Sequence, residues 1–299
     1  MNRVLVLGGN GQIGFELQRT LAPLAEVLAP GREALDLEDA VAVVDYLGDH
    51  QPDIIVNAAA WTDVDGAEVL ENQQTVSRLN EELPAQLANY ATRSGIPLVH
   101  YSSDYVYDAK GNAPLDEDAP TSPCNRYGES KLAGDRAILA SSAKHLVLRT
   151  SWVYGVRGRN FMNTMLRLGR ERSELRVVDD QIGAPTTVRL IGEVTLLALQ
   201  ALRQGHMASG LYHLTSRGET SWHGFACEIF RQTLAKDGVL EIVPERVAPI
   251  SASDYSTLAV RPLNSRLAVS RIERALGIRM PDWRSQLALV LDERLEYCR

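Results

Sequence analysis

Apolar and polar residues fall into blocks whose period switches along the chain. Val4-Leu5-Val6-Leu7 is an unbroken apolar run and reads as a short buried strand. Ile13, Leu17 and Leu21 then recur at helical spacing, which predicts a helix over 12–21. The exchange repeats. Strands are predicted over 26–29, 53–57, 97–101 and 146–150, and helices over 39–47, 75–94 and 127–140. Pro30-Gly31, Pro52 and Gly95 punctuate them. Strands alternating with helices imply βαβ units, hence a parallel sheet covered on both faces.

Beyond Trp152 the rhythm loosens. Helices are predicted over 161–172 and 189–203, and strand-like pieces over 176–178 and 211–214. Pro244, Pro249 and Pro262 mark a loop-rich stretch over 244–264, and a last helix is predicted over 283–297. The expectation is an α/β chain. A doubly wound parallel sheet occupies 1–160, and a smaller C-terminal lobe, mainly substrate-binding, occupies 161–299. Interleaving of the two is left open.

The 299 residues are 45% apolar, enough for a sizeable core. A formal net charge of −7 argues against nucleic acid as a partner and leaves room for a small anionic ligand at a local site. Cys124, Cys227 and Cys298 stand far apart with no CxxC or Cys/His cluster, so neither a disulfide framework nor a zinc site is expected. No apolar run approaches the roughly 18–20 residues of a membrane helix, so no membrane partner is expected. The strand pattern begins almost at the first residue and leaves no room for a signal peptide, so a cytoplasmic chain is expected.

Two motifs carry chemistry. Gly8-Gly9-Asn10-Gly11-Gln12-Ile13-Gly14 follows the first strand and opens the first helix. Glycines there let the backbone approach a pyrophosphate, and the helix start offers free N–H groups and partial positive charge. Gly8, Gly11 and Gly14 are therefore candidate dinucleotide ligands, and the sheet is expected to be of the Rossmann kind. An acid about 20 residues on usually selects NAD; here Ala29-Pro30-Gly31-Arg32 stands instead. Arg32 can hold a 2′-phosphate, which favours NADPH over NADH, with Glu33 as the alternative hydroxyl partner. Asp36 and Leu37 are expected to line the adenine. Asn57-Ala58-Ala59-Ala60 ends the third strand with small residues where a cofactor can lie against the backbone.

The second motif is Tyr127-Gly128-Glu129-Ser130-Lys131, preceded by Tyr101-Ser102-Ser103-Asp104-Tyr105. Tyr127 and Lys131 are i and i+4 on a helix and share a face. A lysine ammonium nearby is expected to lower the tyrosine pKa from near 10. With Ser103 sharing the bond to a substrate oxygen, this is proton-donor chemistry for carbonyl reduction, the hydride coming from a nicotinamide.

On these segments the chain resembles the extended short-chain dehydrogenase/reductase family. More narrowly it resembles the branch formed by the dTDP-4-dehydrorhamnose reductases. The segments are Asn57 to Asp65, Tyr101 to Tyr107, Arg149 to Tyr154, Asp180 to Thr186 and Arg261 to Ser265. The resemblance implies that Gly11, Gln12 and Ile13 touch the cofactor phosphates, and that Ala60, Trp61, Thr62 and Tyr101 line its nicotinamide side. It implies Tyr127 as proton donor and Lys131 as holder of the ribose. It implies Ser103 and Asp104 as contacts to a deoxysugar carried on dTDP, with Trp152 packed against it. Some members are described as dimers joined by Mg²⁺ through acids of the first and a later helix. Glu16 and Glu193 stand at such places and Arg189 where another acid is expected, so no metal is expected and a homodimer is left open. A dehydratase or epimerase of the same superfamily is the first alternative, but dehydratases carry an acidic pair where this chain has Asp104 and Tyr105. A non-catalytic regulatory subunit, like that of methionine adenosyltransferase, is the second; a pure binding module has no need of the Ser103/Tyr127/Lys131 set.

Overall fold

The computed structural model describes residues 3–108, 110–236 and 238–296. The first five strands are β1 (Arg3–Leu7), β2 (Glu26–Leu28), β3 (Ile54–Asn57), β4 (Leu98–Ser103) and β5 (His145–Thr150). With Gly210–His213 they form a six-stranded sheet in the order Gly210–His213, β5, β4, β3, β1, β2. Every pairing in it is parallel. Every residue of β3, β4 and β5 is buried, as expected of parallel strands covered on both faces.

One face is covered by α1 (Gln12–Leu21), Val188–Arg203 and Ser270–Leu276, which bury Leu17, Ile191, Val194 and Ile272 against Val6, Val56 and Val99. The other is covered by α2 (Ala40–His50), Leu83–Ser94 and Arg126–Leu139, with Leu47, Leu87 and Ile138 against Leu5 and Ile55. Asp39 caps α2 by accepting from the N–H groups of Val41 and Ala42. A separate core of Phe225, Phe230, Trp283 and Leu291 forms the smaller lobe.

The chain order reverses between β1 and β3, which leave the sheet in opposite directions to their next neighbours. Ligands of open α/β sheets bind at such a switch point, outside the carboxyl ends of the strands. The glycine turn after β1 and the Asn57–Ala60 stretch after β3 both lie there.

Several elements differ from the sequence expectation. Gly210–His213 belongs to the main sheet, paired with β5, and Val188–Arg203 packs on α1. The stretch 161–299 thus supplies elements to both units. The predicted 75–94 helix is a run of Gln73–Ser77, a π turn over Arg78–Glu82, and Leu83–Ser94. The 244–264 stretch holds a strand, Val247–Ile250, paired with Leu175–Val178 in a two-stranded ribbon that tolerates Pro249 at an edge. The last helix is Trp283–Glu296; Tyr297, and Cys298 beyond it, lie outside the described residues. No described helix is long and apolar enough to cross a membrane.

Candidate active site

Gly8 has φ +78°, a conformation that disfavours a side chain, and a Cβ on Gly14 would lie 2.1 Å from the Gly8 carbonyl oxygen. The turn therefore closes only with glycine at these places. Gly11 is the N-cap of α1 and offers no side-chain cap, so the first N–H groups of the helix have no partner within it. That is a ready anion site, and the residues present fit a dinucleotide pyrophosphate. Ile13 packs on the sheet core, while the Gln12 side chain turns to Asn160, whose Nδ2 donates to Gln12 Oε1 at 2.8 Å. Asn160 caps the helix Phe161–Glu171, so the glycine turn is tied to the smaller lobe.

β4 ends in Ser103 at the same edge of the sheet. Ser103 Oγ donates to Asp104 Oδ1 at 3.1 Å and lies in hydrogen-bond reach of Tyr127, where it favours the phenolate. Asn125 caps the helix Arg126–Leu139 and so fixes where Tyr127 and Lys131 emerge. Burial pushes the Tyr127 phenol up to about 12, with Asp104 and Asp135 adding to the rise. The expected lowering of the tyrosine pKa is thus corrected: desolvation by burial dominates and the net shift is upward. Lys131 Nζ instead donates to the Tyr101 carbonyl at 2.7 Å and lies 3.3 Å from His100 Nε2. Burial holds Lys131 down to about 8, against the pull of Asp135. Burial likewise raises Asp104 to about 6, and its Oδ2 has no hydrogen-bond partner. Asp135 is bonded to Arg149 at 3.0 Å with both side chains buried, which pins the helix to β5.

Ala60, Trp61 and Thr62 follow β3 at the switch point, with Thr62 exposed. Their loop is held by a residue that the sequence reading missed. Asn80, fully buried on the π turn, accepts from the Trp61 N–H at 2.9 Å. Its Nδ2 donates to the Trp61 carbonyl at 3.2 Å and to Ser130 Oγ at 2.9 Å. Ser130 Oγ in turn donates to the Tyr127 carbonyl at 2.8 Å. Asn80 so locks the loop to the helix Arg126–Leu139, and π turns are frequent at functional sites. An asparagine on the apolar face shared by Val76, Leu83 and Leu87 was the available signal. Tyr101 turns its hydroxyl into the core, 2.7 Å from Thr195 Oγ1, and presents its carbonyl to Lys131.

Arg32 is exposed and pairs with Glu38 and Asp36, and Leu37 packs partly on the core. A guanidinium already aimed at anions suits a 2′-phosphate. Arg32→Ala is therefore expected to weaken NADPH more than NADH, changing their affinity ratio by about two- to fivefold, the worth of an exposed charge pair. Titration of both cofactors checks this; equal losses would shift cofactor choice to Glu33.

Trp152 has φ +49°, a strained value for a tryptophan. Its ring stacks on Trp222 at 3.6 Å between centroids, and a Cβ on Gly183 would lie 2.7 Å from it. Trp222, also missed from sequence, rather than Trp152, lines a cavity of about 1600 Å³ together with Phe161, Arg172, Arg176, Arg246 and Arg261. Trp152→Ala removes one stacked ring, worth about three- to tenfold in affinity. The KM for the sugar substrate should rise by that factor and that for the nicotinamide should not; the reverse order would place Trp152 beside the cofactor.

The acids singled out for a metal do not fit one. Arg189 lies 3.2 Å from Glu16 and 3.3 Å from Glu293, so a guanidinium already joins the helices that carry them. Glu193 is exposed, and among the described residues no group of three or more His, Cys, Asp or Glu side chains could hold a metal ion.

A parallel sheet with a glycine turn at its switch point, and Ser103, Tyr127 and Lys131 at the same edge, defines an NAD(P)-dependent oxidoreductase of the extended short-chain dehydrogenase/reductase class. Comparison with known proteins narrows this. The RmlD substrate binding domain matches residues 1–296, and the chain belongs to that family. It is 42% identical over 297 residues to a dTDP-4-dehydrorhamnose reductase of Burkholderia thailandensis, covering 98% of this chain and 99% of the relative. A dTDP-4-dehydrorhamnose reductase structure from Clostridium acetobutylicum superposes with a TM-score of 0.89 at 32% identity, over 97% of this chain and 99% of that one. One from Bacillus anthracis, in complex with NADP, gives 0.88 at 32% identity, over 98% of this chain and 100% of that one.

Proposed function

We propose that this chain reduces the C4 keto group of dTDP-4-dehydro-L-rhamnose with NAD(P)H, yielding dTDP-L-rhamnose, and that it works in the cytoplasm. The observation that carries the reading is the meeting of Ser103, Tyr127 and Lys131 beside the glycine turn, in a chain whose near-full-length relatives bear that activity in their names.

The α1 N-terminus holds the pyrophosphate, with Gly8, Gly11, Gln12, Ile13 and Gly14 supplying backbone, and Arg32, Asp36 and Leu37 meet the adenosine end. Ala60, Trp61, Thr62 and Tyr101 border the nicotinamide end, and Lys131 holds its ribose. The bound nicotinamide supplies a hydride to C4. Tyr127 gives its phenolic proton to the oxygen that becomes the C4 hydroxyl. Ser103 Oγ shares the bond to that oxygen and keeps it in line with the phenol. Asp104, with Oδ2 free and a pKa of about 6, is ionised at neutral pH and accepts from a sugar hydroxyl. The arginines of the large cavity offer a diphosphate its counter-charge, and Trp222 backed by Trp152 offers a flat wall.

A single hydroxyl–phenol pair with one acid beside it can deliver a proton but lacks the second acid that a dehydratase uses. Loss of nicotinamide absorbance on adding dTDP-4-dehydrorhamnose tests the reading. Oxidation dependent on that sugar nucleotide supports it; consumption of dTDP-glucose instead would make the chain a dehydratase.

A further inference from the structure

His100 has no part in the chemistry above, yet its Nε2 lies 3.3 Å from Lys131 Nζ. It is fully buried in β4, and its two ring nitrogens meet two different elements. The bonds around it fix its tautomer. Asn57 Oδ1 accepts from the Ala59 N–H at 3.2 Å, so the Asn57 amide nitrogen is the atom facing His100, 3.1 Å from Nδ1. That nitrogen donates, so His100 Nδ1 carries the lone pair and Nε2 carries the hydrogen. Burial, with Lys131 beside it, holds His100 well below the ordinary histidine range and keeps the ring neutral. The hydrogen on Nε2 points at Lys131 Nζ, 3.3 Å away. An ε-amine can accept it. An ammonium has only hydrogens to offer and would meet N–H with N–H.

Resting on the reductase reading, we propose that His100 is a positioning residue that stabilises the amine form of Lys131 and so sets the pH at which the ammonium that holds the cofactor's ribose is lost. When the Lys131 ammonium gives up a proton to solvent, the N–H bond breaks and Nζ keeps the electron pair. That pair is then received by the Nε2–H of His100, while the Tyr101 carbonyl continues to hold another Nζ hydrogen. The other charged groups near Lys131 are disposed around this pair. Asp135, one turn along the same helix, favours the ammonium, and Arg149 from β5 takes up part of its charge. Asp104 lies beside Tyr127 and adds to the rise of its phenol. Asn57, Asn80 and Ser130 are neutral and add only hydrogen bonds.

Two measurements test this. Nitrogen-15 spectroscopy of the wild-type imidazoles, in protein without substrate, should find His100 as the Nε2–H tautomer between about pH 6 and 8. The Nδ1–H tautomer, or an imidazolium in that range, overturns the proposal. This arm needs no turnover, so it stands apart from failure of the reductase reading. His100→Gln supplies a rotatable amide whose oxygen can accept from the ammonium. The alkaline limb of the kcat/KM profile should then move up by about one pH unit, the worth of one hydrogen bond to a charged group. A variant that is slower at every pH with the limb unmoved would make His100 a packing residue only.

Discussion

Tyr127→Phe is expected to lower kcat by about 10²–10⁴, the range that a positioned general acid contributes. The change removes one oxygen. The Tyr127 ring packs edge-on against Tyr105, with centroids 5.5 Å apart, and phenylalanine keeps that contact. The carbonyl that Ser130 bonds is untouched. Fold and cofactor affinity should therefore stay near wild type, and the loss should fall on turnover. Steady-state kinetics with a parallel cofactor titration read it out. Retention of more than about a third of kcat would assign the proton to another group.

Lys131→Met should act on binding and on pH together. Nζ is buried and held by a carbonyl, so its loss removes a charged, desolvated donor from the cofactor's ribose. Truncating such a partner costs about 2 kcal/mol or more. Cofactor Kd should rise by about thirtyfold on the rule that 1.4 kcal/mol is tenfold. The sign of the pH effect follows from the lowered pKa. The ammonium is present below about 8 and is lost as pH rises through that value. Wild-type turnover should fall along that limb, and the variant should lack it. A variant with unchanged Kd and the same limb would reduce Lys131 to a buried structural charge.

The parts of this site that act locally were legible in the sequence. The glycine turn needs only its own backbone geometry and a strand before it, and both stand in the first residues. Tyr127 and Lys131 need only one helical turn. What was hidden depends on pairing across the fold. Gly210–His213 is a short run whose place is set by β5, not by its own residues, so it read as part of the smaller lobe. Asn80 and His100 are ordinary residues on apolar stretches until the fold sets Trp61 and Ser130 beside one and Asn57 and Lys131 beside the other. Trp152 was read as the wall of the sugar site from its place after β5. The stacking of Trp222 on it, brought in from the helix Trp222–Ala235, is a contact across the fold that no local spacing shows. The electrostatic expectation failed for a related reason. Helical spacing sets Tyr127 and Lys131 on one face, but only the packed site shows that burial dominates the phenol and that Nζ is engaged elsewhere.

The proposed reaction is hydride delivery to C4 of a dTDP-linked 4-keto-6-deoxysugar. Turnover of dTDP-4-dehydrorhamnose with NADPH carrying deuterium at nicotinamide C4, followed by NMR of the product, tests it most directly. The expected product is dTDP-L-rhamnose with deuterium at sugar C4 when the labelled face is the one presented, and protium there with the opposite face. A product carrying no deuterium from either labelled face, or nicotinamide left unoxidised while the sugar is consumed, would contradict it.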